Sequence, residues 1–507
     1  MPAVLVDLLV IGGVLPRWPG LVQQAALPPL DQVADMRVLL AKAPSVEWFA
    51  AGVVLDVAVR SCLLAAMTGG VERVGLALRF TVASLVPAWM AAELAYSGQA
   101  ILYAALSWTG AAISLFALLL LGPVPWRSGR GRVRGLAGVG GRVAGQAAGM
   151  LVLAPYFAAT AVLGSLVRGR AEAVDLLGVV ASASLSAIVA GRLARSPRHT
   201  ARSRAALGGV AMAVLVLTGL LYGAAGPAAS SAGRSARQVV GPGHAKGTLF
   251  VVAGIDTSSG HGSAFLVRPR LLGFTCAQTA YFSYAGPGGG APRGQAACPI
   301  DSGARYTREE TGRPLPTLVR AFRAEVGALA PPVTVIAHSS GAWIAWRALS
   351  GERDTTVKRL ILLAPLWGGV GYPLPGAYDS GAVGASGMRL VSAVGRAIHF
   401  STFDPSEPLA LEMLAAPGAS EALFARPLPS GVRAVAIQSA FDLAVTGTAP
   451  RNSSMEVACP VGVPHGEVPE SLAAMAEARA FLAGKRPAPC PWWSSWPGAL
   501  TATFRVP

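Results

Sequence analysis

Two patterns of apolar and polar positions divide this chain. Up to about residue 227 the apolar residues come in long unbroken runs, close to the ~20 residues that a bilayer-spanning helix needs. The clearest are 102–121, 143–167, 173–190 and 207–226. Two more, Trp48–Met67 and Val74–Tyr96, carry isolated charges: Asp56 and Arg60 in the first, Arg79 and Glu93 in the second. Those charges sit near the span ends, where long side chains can reach water. The stretch Pro2–Leu15 is apolar but short and has no basic flank, which fits a short first span better than a signal peptide. The pattern predicts six or seven spans over residues 1–227. Small residues, Gly and Pro then make 228–247 a linker.

After Thr248 short β-rich runs alternate with helical stretches. They fall at Thr248–Ala253, Gln278–Tyr284, Leu315–Leu329, Val333–Ala337, Gly341–Leu349, Lys358–Ala364, Val432–Ser439, Met455–Val461 and Pro469–Ala483. Such alternation predicts an α/β domain with a mostly parallel sheet and helices on both faces. Its expected extent is 248–483, with an insertion at about 369–427 that would cap a site, and a Cys/Trp-rich tail at 484–507.

Composition agrees with the first pattern. Hydrophobic residues make up 53% of the 507 positions and charged residues 13%, about half the usual charged share of a soluble domain. The net charge of +16 is almost all Arg, because Lys occurs only at 42, 246, 358 and 485. Much of it lies in two short loops: Arg127, Arg130, Arg132, Arg134 and Arg142 in one, Arg192, Arg195, Arg198, Arg202 and Arg204 in the other. That is the signature of loops held in the cytoplasm, not of a nucleic-acid surface. With both loops inside, the C-terminal half lies outside the cell membrane; Arg168 and Arg170 run against this, but Glu172 and Asp175 adjoin them. The intramembrane charges also admit a transport path.

The chemistry concentrates at Val333-Thr-Val-Ile-Ala-His-Ser-Ser-Gly-Ala342. A β-branched strand runs into small-x-Ser-x-Gly and then a helix, the pattern of a nucleophile elbow. Ser339 is the expected nucleophile; Ala337 and Gly341 are the small residues that let neighbours approach, with His338 between them. A serine needs a base, and the base needs an orienting acid, in the chain order Ser, acid, His. Only His399 and His465 follow Ser339. His465 is the expected base, because it lies in a turn between the run Met455–Val461 and the final helix. Asp442, at the end of Val432–Asp442, is the expected acid, with Asp404 and Glu467 as alternatives. An oxyanion hole needs two N–H donors: Ser340 supplies one, and Ile255 or Asp256, after the flexible Gly254, the other.

These residues resemble a known family, the lipase-like and inositol-deacylase-like serine hydrolases of the α/β-hydrolase fold. The resemblance covers about 248–483. Val252-Ala-Gly-Ile255 is similar to their Val-His-Gly-x oxyanion strand, and Leu272-Gly-Phe274 and Phe282-Ser-Tyr284 to their "LGY" and "FSY" elements. Ala337-His-Ser-Ser-Gly341 matches their elbow; Leu363-Ala-Pro-Leu-Trp-Gly368, Leu428-Pro-Ser-Gly-Val432 with Asp442, and His465 match later elements. Ala253 stands where the family has His, and Leu366-Trp367 interrupts its Pro-His-x-Gly run. The resemblance implies a serine ester hydrolase, and the apolar runs place it at the membrane; no cofactor and no metal are expected. Its partners would be the lipid bilayer and a lipid or acyl-ester substrate. An acyltransferase with the same triad, or a membrane scaffold or transporter carrying an inactive hydrolase domain, are the alternatives.

Export would also favour disulfides. Cys276 and Cys298 flank the Phe282 run and a Gly/Pro-rich loop, while Cys459 precedes His465 and Cys490 opens the Trp-rich tail. The expected pairings are therefore 276–298 and 459–490. Cys62 lies in an apolar run, and no Cys or His cluster has metal-ligand spacing.

Overall fold

In the computed structural model the described residues are 30–68, 70–100, 245–290, 294–352, 355–366, 382–397, 404, 406–414, 419–440, 452–487 and 490, with scattered positions between 110 and 189. Apart from those scattered positions, the runs at Pro2–Leu15, 102–121, 143–167, 173–190 and 207–226, and most of the linker, fall outside them.

The N-terminal part contains three described helices: α1 (Leu30–Lys42), α2 (Val46–Thr68) and α3 (Val74–Ala100). The last two coincide with the charged spans expected at Trp48–Met67 and Val74–Tyr96. Both are long and apolar enough to cross a membrane, with mean hydropathies of 1.8 and 1.5. Of those windows 22% and 33% are buried. Val54, Leu55 and Val86 point outward. On the inner side Met36, Leu40 and Phe49 pack against Ala88, Ala91 and Ala92, whose small side chains let the helices close up.

One expectation is revised here. Arg60 sits near a span end, but its side chain, 11% exposed, is paired with Asp31, Asp35 and Asp56. The reason is α1, which lies against α2 and brings two carboxylates that the spacing within one span could not reveal.

The C-terminal half is built on six parallel strands: β1 (Thr248–Val252), β2 (Thr279–Tyr281), β3 (Val333–His338), β4 (Val357–Leu363), β5 (Arg433–Ile437) and β6 (Met455–Val457). Their order is β2-β1-β3-β4-β5-β6. β3 is buried at every position, as expected for a central parallel strand covered on both faces. Of the covering helices, α4 (Leu315–Gly327) buries Leu315, Leu318, Val319, Phe322 and Val326, one helical stripe. α5 (Ser340–Leu349) buries nearly all its residues. Phe250, Phe282 and Phe322 form an aromatic cluster between sheet and α4. The last helix, α9 (Leu472–Leu482), is capped by Ser471, which accepts from the Ala474 N–H.

Two strands are shorter than their apolar runs. In β2 pairing stops because the Ser283 N–H turns to the Glu325 carboxylate. In β6 it stops before Pro460, which has no N–H to offer. The insertion holds α6 (Ala382–Ala397), α7 (Pro408–Leu414) and α8 (Ala419–Phe424). Its α7 and α8 lie against the helices α4 and α5 respectively. Leu409 N–H bonds to the Gly312 carbonyl at 3.0 Å, and Phe424 meets Trp346 of α5 edge-on at 5.4 Å. α6 instead lies on the N-terminal helices. A Cβ at Gly384 would strike the Leu40 carbonyl, and one at Gly387 the Glu93 carboxylate. Tyr96 of α3 and Met388 of α6 join the core of the C-terminal half.

Both expected cysteine pairs stand at disulfide distance, Cys276–Cys298 and Cys459–Cys490, with Cα separations of 5.2 Å in each.

Candidate active site

Ser339 occupies the turn between β3 and α5, with φ 55 and ψ −122. Such a conformation costs a non-glycine residue on the order of 1–3 kcal/mol. It persists because both sides are pinned: Ser339 N–H donates to the Leu363 carbonyl at 3.0 Å, and Ala342 N–H donates to the Ser339 carbonyl at 3.0 Å. Trp343 Nε1 further ties α5 to the Leu366 carbonyl after β4. The small residues have the expected use. A Cβ at Gly341 would run into the Ala253 carbonyl and Val252, so α5 could not sit this close to β1 with any other residue. Ala337 is fully buried in β3. Gly254 is equally constrained, because a Cβ there would lie 3.0 Å from that of Ser339.

His465 begins a 3₁₀ turn, His465–Glu470, after β6. Its Nε2 lies 2.9 Å from Ser339 Oγ, across 126 positions of sequence. This is the geometry of a hydroxyl donating to an imidazole, and an imidazole so placed can take the proton of an attacking serine. Ser339 itself is mostly buried but not sealed, at 5% exposure. The turn holding His465 is anchored by the Ser439 hydroxyl on the Val463 carbonyl and by Ala440 N–H on the Val461 carbonyl at 2.8 Å.

Among the acids, Asp442 lies outside the described residues, as does His399. Asp404 is committed elsewhere: it pairs with Arg396 at 3.0 Å and accepts from Ser406, and its carboxyl is lowered by those bonds despite burial. Glu467 is exposed.

The expected oxyanion loop has both of its candidate N–H groups engaged within the protein. Ile255 N–H donates to the Ser340 hydroxyl at 2.6 Å, and Asp256 N–H donates to Thr311 Oγ1 at 2.9 Å. Both loop N–H groups thus have acceptors inside the protein. The loop is also held by the Tyr284 hydroxyl, which donates to the Ala253 carbonyl at 2.7 Å. Burial keeps the Tyr284 phenol well above its usual range, with Tyr306 adding to the effect, so it remains a donor. Asp256 adopts φ 65, consistent with a turn-former.

Two contacts had no signal in the sequence. His338, expected only as an elbow residue, places Nε2 3.2 Å from the His465 main-chain carbonyl, with the two rings 5.1 Å apart. Beside the oxyanion loop, burial first, and then Asp404, Asp256 and Glu309, push Glu407 up to about 7. Among the described residues no group of three or more His, Cys, Asp or Glu could hold a metal ion.

Compared with protein-family models, curated proteins and solved structures, the chain matches none, so geometry alone carries a functional reading.

Proposed function

We propose that this chain is a membrane-bound serine hydrolase of the α/β-hydrolase type that cleaves acyl esters at the outer face of the cell membrane. The observation that carries the reading is the 2.9 Å approach of His465 Nε2 to Ser339 Oγ on a strained strand-to-helix turn. A merely structural serine has no need of φ 55 or of a histidine brought from the far end of the fold. In the reaction Ser339 Oγ bonds to the acyl carbon while His465 takes its proton. The C–O bond to the alcohol then breaks, and His465 protonates the departing oxygen. Water, deprotonated by His465, releases the acyl group and restores Ser339. Asp442 is assigned the role of holding the imidazole in its productive tautomer, and the Ser340 N–H that of one oxyanion donor.

The membrane assignment rests on α2 and α3 together with the apolar runs that follow. The orientation is supported by where α6 meets the bundle. It packs near Leu40 and Glu93, at the end of α3 opposite Arg73 and Arg79. With the Arg-bearing end inside, the hydrolase half lies outside, which agrees with its two cysteine bridges. An active site beside the bilayer suits a lipid or lipid-linked acyl ester.

The test is hydrolysis of short and long p-nitrophenyl esters by the full chain in nanodiscs. Activity lost in both Ser339→Ala and His465→Ala is expected; a Ser339→Ala protein as active as the parent would refute the reading.

A further inference from the structure

Resting on that reading, the geometry points to His338 as a positioning residue that fixes the base against the nucleophile. His338 is the last residue of β3 and Ser339 follows it directly. Its Nε2 lies 3.2 Å from the main-chain carbonyl of His465. A carbonyl can only accept, so Nε2 carries the hydrogen, in the neutral ring or the doubly protonated one.

The arrangement has a mechanical consequence. β3 and the segment bearing His465 are not neighbours in the sheet, because β4 and β5 separate β3 from β6. Ser439 and Ala440, which also anchor the His465 turn, lie after β5 and hold Val463 and Val461 respectively. They fix the turn to its own edge of the sheet. The His338 bond ties the main chain of the base directly to the strand that carries the nucleophile. It does so one residue from Ser339 and at His465 itself, so the separation of Oγ and Nε2 is set by the shortest route the chain allows. His338 is 7% exposed, so water competes little for this bond. The tilted ring contact at 5.1 Å adds a wall that limits swing of the His465 ring.

In this role His338 acts through His465 and needs no contact with substrate or with the transferred proton. Its loss therefore should slow the chemical step and leave substrate binding alone, since small misplacements of reacting groups cost about 100-fold. The experiment compares His338→Gln, His338→Phe and His338→Ala in the full chain in nanodiscs. kcat and KM are measured with p-nitrophenyl butyrate, and labelling rates with a fluorophosphonate; thermal midpoints and the disulfide map show that each variant is folded. Gln keeps an N–H donor near the position of Nε2, whereas Phe keeps ring volume without a donor. The expected result is a kcat roughly 10–100-fold lower for Phe and Ala, with KM unchanged, and Gln within about 3-fold of the parent.

If Phe unfolds, the folded Gln and Ala variants decide: Gln must exceed Ala by about 10-fold or the proposal fails. Phe as fast as the parent, or Gln as slow as Ala, overturns it while leaving the hydrolase reading in place. A parent protein that neither turns over ester nor reacts with the fluorophosphonate overturns both.

Discussion

The Ile255 N–H donates to the hydroxyl of Ser340, the residue after the proposed nucleophile Ser339, at 2.6 Å. This bond joins the loop after β1 to the first turn of α5. Ser340 is fully buried, so its loss would leave the half-buried Ile255 N–H without its partner. Ser340→Ala should therefore lower stability by about 1–2 kcal/mol. A denaturant midpoint indistinguishable from the parent would show that the loop is held by other means.

The cysteine pairs make a second expectation. A non-reducing peptide map of protein purified without reductant should contain 276–298 and 459–490 links. Each closes a loop of modest length, with sequence separations of 22 and 31, for which loop closure alone gives about 3 kcal/mol. Cys276→Ser should thus lower the midpoint measurably, and crossed links in the map would contradict the arrangement.

Much of this was readable along the chain, and the reasons are physical. Val333–His338 and positions 360–363 of β4 are buried on both faces, so they appear as short, largely apolar runs. Gly341 is dictated by the Ala253 carbonyl against which it packs, and Ala337 by complete burial in β3; hence small-x-Ser-x-Gly was recognisable. What stayed hidden was long-range. The contacts of His338 with His465 and of Ile255 with Ser340 cross 127 and 85 positions, and neither leaves a local spacing. The same holds for Arg60, whose carboxylates Asp31 and Asp35 come from a different helix. The early stops of β2 and β6 follow from single groups, the Glu325 carboxylate and Pro460, that apolar patterning does not register.

Glu325 gives a pH expectation. Burial pushes its carboxyl up to about 7, only partly offset by the Ser283 N–H it accepts. Its pKa is raised above that of the unfolded chain, so its contribution favours folding below about 4.5 and is lost as pH rises through about 7. The cost above that pH is at most about 3 kcal/mol. Glu325→Gln should raise the thermal midpoint at pH 8 more than at pH 5. An equal change at both would mean that this carboxyl does not titrate as its burial implies.

Arg60 is held among Asp31, Asp35 and Asp56. Removing Arg60 would leave three carboxylates facing one another, and because Asp31 and Asp35 are 25% and 43% exposed the cost falls below the ~3–5 kcal/mol of a fully buried pair. Arg60→Met should sharply reduce the yield of folded protein. Adding Asp35→Asn and Asp56→Asn should recover part of that yield, as read by size-exclusion chromatography in detergent. A single Arg60→Met protein with full yield and unchanged midpoint would mean that the cluster is dispensable.

The most direct measurement is the site of covalent capture. The full chain in nanodiscs is treated with a fluorophosphonate, digested and mapped by mass spectrometry. The adduct should sit on Ser339, disappear in Ser339→Ala, and form at least about 100-fold more slowly in His465→Ala, where the hydroxyl has lost its base. An adduct on another serine, or labelling that survives Ser339→Ala, would contradict the assignment of this serine as the nucleophile.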